Sequence, residues 1–322
     1  MKAGIELHTS DYIFPYIMSV LSNRYDLLRT RLDRFTGMLH GVDADEVSAV
    51  HHARVASRRL RELLPILQLD SGVSERLGHR LRRATRRLGA IRELDVLLLL
   101  TEELRQSGKH SERALRLVAA DVREARDRAR GKLSGKRRSG ELRRVARKLE
   151  KVGHQLEESE RGPAGARAWR WVIAARVARR ASTLKNAVEG AGALYLPERL
   201  HAARIAVKKL RYGMELATEA AGTAGGDDLR TLKRGQANLG RMHDLQVLID
   251  RVRRIQMNLA PSEIVVSKDL DMLVIALDAT CRRLHGRFVR DREALLEICR
   301  RLAARIPPQS KVAKTPGVRR AS

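Results

Sequence analysis

One eleven-residue block occurs twice in this chain. His51-His52-Ala53-Arg54-Val55-Ala56-Ser57-Arg58-Arg59-Leu60-Arg61 returns at an offset of 150 as His201-Ala202-Ala203-Arg204-Ile205-Ala206-Val207-Lys208-Lys209-Leu210-Arg211. Six positions are identical and three more are Val/Ile or Arg/Lys exchanges. A second block follows each copy: Leu88-Gly89-Ala90-Ile91-Arg92-Glu93-Leu94-Asp95-Val96, and at an offset of 151 Leu239-Gly240-Arg241-Met242-His243-Asp244-Leu245-Gln246-Val247. Two blocks in the same order at nearly one offset mean duplication of a unit of about 150 residues. The expected fold is therefore two packed halves, each a helical bundle, related by an internal pseudo-two-fold axis.

The residues between the blocks favour helix. Ala, Leu, Arg and Glu dominate, and proline occurs only eight times. Only Ile264-Val265-Val266 resembles a β run, so the fold class expected is all-α. Asp43 and Glu46 have the spacing of a capping box ahead of Val47. Pro197 suits a first helical turn, Gly222 to Gly226 a turn, and Pro65 lies inside a helical pattern. Gly131 to Gly140, rich in Gly, Ser and basic residues, reads as a loop between the halves, and Arg161 to Gly165 as a second break. The repeats are placed at about 12–158 and 165–305. Residues 306–322 carry Lys311, Lys314, Arg319 and Arg320 and no acid, and are expected to form a disordered basic tail.

The chain holds 65 Lys+Arg against 38 Asp+Glu, a formal charge of +27 on 322 residues. A compact body so charged repels itself and calls for a polyanionic partner. No apolar run approaches the roughly 20 residues of a spanning helix, and the N-terminus lacks a signal-peptide pattern. Cys281 and Cys299 lie 18 residues apart in one helical pattern, about 27 Å at ~1.5 Å rise and too far for a bridge within one helix, so no disulfide framework is expected and the chain reads as cytoplasmic.

At ~100° per residue, Ala53, Ala56, Leu60, Leu63, Leu64 and Leu67 share one helix face, a core stripe. His51, Arg54, Arg58 and Arg61 fall on the opposite side as a ladder ~15 Å long. The second copy repeats this, with Ala203, Ala206, Val207, Leu210, Met214 and Ala217 inward and His201, Arg204, Lys208 and Arg211 outward. Arg59 and Lys209 flank their ladders. Like charges at i,i+3 and i,i+4 disfavour a helix by roughly 0.2–0.5 kcal/mol per pair. Yet 51–92 contains 11 Arg and only three acids. Arginine grips phosphate through two parallel N–H bonds and lysine adds a mobile point charge. A linear ladder of such groups matches a linear phosphate chain. A histidine beside phosphates is favoured in its charged form, so binding is expected to strengthen at mildly acidic pH.

These twin His-x-x-Arg-[Val/Ile]-x-x-basic-basic-Leu-Arg blocks, with the twin Leu-Gly-x-x-x-acidic-Leu blocks, resemble the CHAD domain, the conserved histidine α-helical domain, over about residues 12–305. The resemblance implies two four-helix bundles related by pseudo-symmetry. It also implies binding of inorganic polyphosphate in a basic surface between the halves, and localisation to polyphosphate granules. It places the first half-site on His51, Arg54, Arg58, Arg59 and Arg61, and the second on His201, Arg204, Lys208, Lys209 and Arg211. Arg82, Arg83, Arg86 and Arg87 extend the basic surface of the first half. Their counterparts are Lys233, Arg234, Ala237 and Asn238, so an asymmetric site is expected. The family's second block usually reads Arg-Asp; here it reads Arg92-Glu93 and His243-Asp244, taken as structural ion pairs rather than ligands. Some members carry an N-terminal triphosphatase domain, for which helices starting near Asp11 leave no room.

Other chemistries find little footing. Ten histidines invite a metal site, but none sits in a His-x-x-x-His pattern and His51 and His52 point about 100° apart on a helix. No Gly-rich phosphate loop of Walker or Rossmann spacing is present. No paired carboxylates or nucleophile with a base stand near the ladders, so neither metal, cofactor nor enzymatic activity is expected. The Arg-rich run from Arg123 to Lys151 reads as a solvated surface that widens the polyanion site. The rival partner is nucleic acid bound non-specifically through the same basic surface. Stacking recognition of single strands asks for aromatic residues. The chain has 3% of them, and only Tyr212 borders a ladder.

Overall fold

The computed structural model describes residues 23–44, 46–132, 140–159 and 165–304. Ten α-helices are present among the described residues: α1 (Arg24–Thr36), α2 (Leu39–Asp43), α3 (Val47–Leu63), α4 (Ser71–Gln106), α5 (Glu112–Gly131), α6 (Gly140–Ser159), α7 (Gly165–Ala191), α8 (Pro197–Ala221), α9 (Asp227–Gln256) and α10 (Ile264–Ala304). No strand occurs among them, and none of these helices is long and apolar enough to cross a membrane. The chain is all-α. The basic tail, most of the Gly131–Gly140 loop and residues 161–164 of the second break lie outside the described residues.

Local chemistry sets the helix ends. The Asn23 side chain accepts from the Asp26 N–H at 2.7 Å and opens α1, and Ser111 does the same for α5 through the Ala114 N–H. Pro197 stands in the first turn of α8, which ends on Gly222 at φ 65, a conformation open to glycine. The Asp43 capping box does not form. Asp43 instead closes α2 and accepts from Arg143 of α6 at 2.6 Å. Helix α3 starts on Glu46, whose side chain makes no cap bond. Gly41 explains the difference: a Cβ there would stand 2.5 Å from that of Ala49, so this glycine lets α2 fold tightly onto α3. Pro65 lies in a 3-10 turn, Leu64–Ile66, that closes α3 rather than within a helix. Ile264-Val265-Val266 is no strand but the first turn of α10, where Val266 is buried. Tertiary burial overrides β propensity there.

Helices α1, α3, α4 and α6 pack as one ring of four, and α7, α8, α9 and α10 as a second. The segment from Gly131 to Gly140 does not join these sets. It separates α5 from α6 inside the first repeat, and the sets meet between Ser159 and Gly165. At the corresponding place the second repeat has one unbroken helix, the 41-residue α10. The core does not divide along the repeats either. One cluster joins Leu60, Leu81 and Leu88 of the first repeat with Leu210, Leu239 and Phe288 of the second. The other joins Leu97 and Leu100 of α4 and Val118 of α5 with Leu248 of α9 and Leu277 of α10. Both sequence-derived core stripes are inward, although Met214 and Ala217 are only partly buried and Leu216 and Tyr212 take the interior positions beside them. Cys281 and Cys299 are free thiols, both buried on α10.

Candidate functional site

The two ladders lie on α3 and α8, which touch across the halves, as do α4 and α9 beside them. The ladders therefore face one another. Arg58 donates to the Tyr212 hydroxyl at 3.2 Å. The ammonium of Lys208 has Arg58, Arg204, Arg54 and Arg61 as its charged neighbours. Arg54 is anchored by the carbonyls of Gly89, at 3.0 Å, and Leu88, at 3.4 Å. The guanidinium lies directly over Gly89, where a Cβ would stand 3.8 Å from it, in ordinary contact. In the first repeat the Leu-Gly of the second block thus seats the Arg of the first. In the second repeat Gly240 has open space at that place.

The positive charge of the groove is only partly compensated, by the fields of Glu93 and Asp244. Burial, then repulsion from Arg58, Arg204, Arg54 and Arg61, brings Lys208 down to about 8. Burial and the fields of Arg58 and Arg92 bring Arg54 to about 10, still charged at neutral pH. Burial is also the first cause lowering Arg61 and Arg204. His51 and His201 fall below the ordinary imidazole value by burial and then by neighbouring cations, and His243 falls to about 4 for the same reasons. Without an anion these histidines are neutral at physiological pH. Arg54, Arg58, Arg61, Arg204 and Lys208 form no ion pair with any described acid, an unfavourable arrangement in the absence of a counter-charge.

Two further groups complete the cluster. Arg92 and His243, read in sequence as halves of structural ion pairs, form no ion pair with Glu93 and Asp244. Arg92 instead acts on His51 and Arg54. His243 lies against His201 with ring centroids 4.9 Å apart, beside Arg204 and Lys208. The available signal was that both occupy the same position of the duplicated block and both can carry positive charge. Glu93 and Asp244 remain nearby, and burial raises the Asp244 carboxyl against the pull of Arg204, Arg241 and Arg92.

The other residues expected from sequence are distributed differently. Arg59 and Arg211 converge from opposite halves on Glu215, Arg59 at 3.5 Å. Arg211 also donates to Gln236 at 2.7 Å and lies 4.6 Å over the Tyr212 ring. Lys209 is exposed, and its carbonyl accepts from Arg180 at 2.8 Å. Arg82 is exposed on α4 yet near enough to depress Arg61. Arg83, Arg86 and Lys233 are exposed on α4 and α9 and make no bond to the cluster. Arg234 pairs with Asp291 at 3.5 Å. The side chain of Arg87 lies outside the described residues.

Lys208→Met keeps the stem and removes the repelled charge, so the ligand-free protein gains on the order of 1–2 kcal/mol at pH 7 after allowance for solvent screening. Because the folded-state value lies below the unfolded one, wild-type stability rises as pH goes from about 8 toward 10.5. The Met variant lacks this rise, and thermal melts across that window check both statements.

The fold and groove can be set against known proteins. The chain matches the crystal structure of the CHAD domain from the plant Ricinus communis with a TM-score of 0.53 at 20% identity, over 88% of this chain and 91% of that one. PptA from Streptomyces chartreusis matches with a TM-score of 0.53 at 18% identity, over 87% and 96%. No curated protein matches the sequence. The family model for the CHAD domain matches residues 26–253, which include both copies of each repeated block. On these grounds the chain belongs to the CHAD domain family.

Proposed function

We propose that this protein binds inorganic polyphosphate along the groove between α3 and α8, without catalysing a reaction, and that it resides at polyphosphate granules. The observation that carries this reading is the meeting of two repeat-derived ladders in one partly buried set of cations, of which Arg54, Arg58, Arg61, Arg204 and Lys208 make no ion pair with a described acid. A linear polyanion supplies the missing counter-charge to both ladders at once. Its oxygens accept from Arg54, Arg58, Arg61, Arg92, Arg204 and Lys208 as charge-assisted hydrogen bonds. Nucleic acid offers the same phosphate charge, but Tyr212 is not free to stack on bases. It is 5% exposed, its hydroxyl accepts from Arg58 and its ring lies under Arg211.

The test is a competition at ~150 mM salt, where weak surface electrostatics are screened. Labelled long-chain polyphosphate is displaced by unlabelled polyphosphate, DNA or RNA of matched charge. Polyphosphate is expected to compete at far lower phosphate concentration; equal or better competition by RNA would overturn the assignment. Affinity also falls as pH rises above about 8, because the free protein then loses the Lys208 charge that the bound state retains. Lys208→Arg moves that decline to higher pH. Below pH 7 affinity rises, because the anion restores charge to His51, His201 and His243 and binding takes up protons.

A further inference from the structure

A separate cleft of about 640 Å³ lies between α4 and α5, walled by Leu98, Leu99, Leu115 and Ala119 and sharing no lining residue with the groove. Asp95 lines it and is only 4% exposed. One of its carboxylate oxygens accepts from Arg126 Nε at 2.5 Å. The other, Oδ2, is buried without a partner among the described residues. An unpartnered buried carboxylate oxygen is costly and calls for an N–H or O–H donor. Leu99, beside it, is 62% exposed, a large apolar surface left uncovered. Toward the rim the positive charges differ in their commitments. Arg105 and Arg116 are met by Glu102 and Glu112, whereas Arg123 makes no ion pair with a described acid.

The duplication supplies an internal control. The residue equivalent to Asp95 in the second repeat is Gln246. It accepts from the Tyr195 hydroxyl at 3.4 Å and donates to Asp250 at 3.1 Å. The fold itself therefore does not require an orphan acceptor at this place.

We propose that the α4–α5 cleft binds a nucleoside phosphate. A base N–H donates to Asp95 Oδ2, the flat face of the base covers Leu98 and Leu99 against Leu115 and Ala119, and a phosphate group meets Arg123. An inorganic phosphate chain fits poorly: it brings no donor to Asp95, leaves the leucines wet and sets anion beside carboxylate. The order of acceptor, apolar wall and free cation matches base edge, base face and phosphate.

Calorimetric titration of the full-length protein with GDP, ADP and inorganic pyrophosphate at ~150 mM salt tests this. The phosphates of a nucleotide also visit the polyphosphate groove, so the titrations are repeated on a variant with Arg54, Arg58, Arg204 and Lys208 changed to Glu. One saturable nucleotide site is expected to survive in that variant, while pyrophosphate binding does not. Leu99→Glu and Arg123→Glu, both at exposed positions, each weaken it at least tenfold. Absence of saturable nucleotide binding overturns the proposal, as does loss of it on groove reversal, equal affinity for pyrophosphate, or indifference to both cleft substitutions. Groove reversal reports on polyphosphate separately, so failure of one reading leaves the other standing.

Discussion

Changing Arg54, Arg58, Arg204 and Lys208 together to Glu is expected to lower polyphosphate affinity by at least 10³-fold at ~150 mM salt, since each charge-assisted phosphate contact is worth about 1.5–3 kcal/mol. The salt dependence changes with it. Each lost contact removes roughly 0.7–0.9 from the slope of log affinity against log salt, so the slope falls by about 3 to 4. Helicity is retained, because none of the four pairs with an acid. Their hydrogen bonds, from Arg54 to the Leu88 and Gly89 carbonyls and from Arg58 to Tyr212, are few. A folded variant with unchanged affinity or unchanged salt slope would remove the groove as the binding site. Filter binding across a salt series, with circular dichroism as the folding control, gives both readings.

The second large effect concerns stability. The acids that bridge the two repeats sit beside the ladders rather than within them. Glu62 of α3 accepts from Arg180 and from Arg176 of α7, the latter at 3.3 Å. Glu219 of α8 pairs at 2.5 Å with Arg31 of α1, which is 3% exposed and also donates to the Arg59 carbonyl. Glu215 holds Arg59 and Arg211 from opposite sides. These carboxylates clasp the repeats together while the groove cations stay unpaired. Glu62→Ala leaves two largely buried guanidiniums facing each other, with an expected loss of about 3–5 kcal/mol. For a chain of this length that is a fall of roughly 4–8 °C in Tm. Restoring an apolar fit with Arg176→Met and Arg180→Met in the Ala background recovers most of the loss. A Glu62→Ala protein that melts with wild type would show that the clasp contributes nothing.

Much of the site was legible because helical periodicity is local. The spacing of Ala53, Ala56 and Leu60 against Arg54, Arg58 and Arg61 separates a core face from a cationic face with no knowledge of neighbours, and the repeat applies the same argument to α8. That both faces meet was implied only by the family resemblance, since a single helix does not declare its partner. Arg92 and His243 were misread because each precedes an acid in sequence. Consecutive helical residues point about 100° apart and do not face each other, so each goes to the groove without its neighbour. The commitment of Arg59 and Arg211 to Glu215 is a contact between residues 156 positions apart in one arm, beyond any local pattern. The continuity of α10, against the α5–α6 break, was hidden by a valine-rich start that favours strand when considered alone.

The way α4, α9 and α10 run bears on how the molecule comes apart. Each threads both apolar clusters: α4 through Leu81 and Leu97, α9 through Leu239 and Leu248, α10 through Leu277 and Phe288. Neither repeat holds a private interior, so neither can melt and leave an intact neighbour behind. Duplicated units elsewhere often behave as separable foldons. Here the three shared helices couple them, and heating should produce one calorimetric transition whose van't Hoff and measured enthalpies agree. On that outcome the descendants of a tandem duplication form a single cooperative unit, in which the copies persist as sequence but not as independently stable parts.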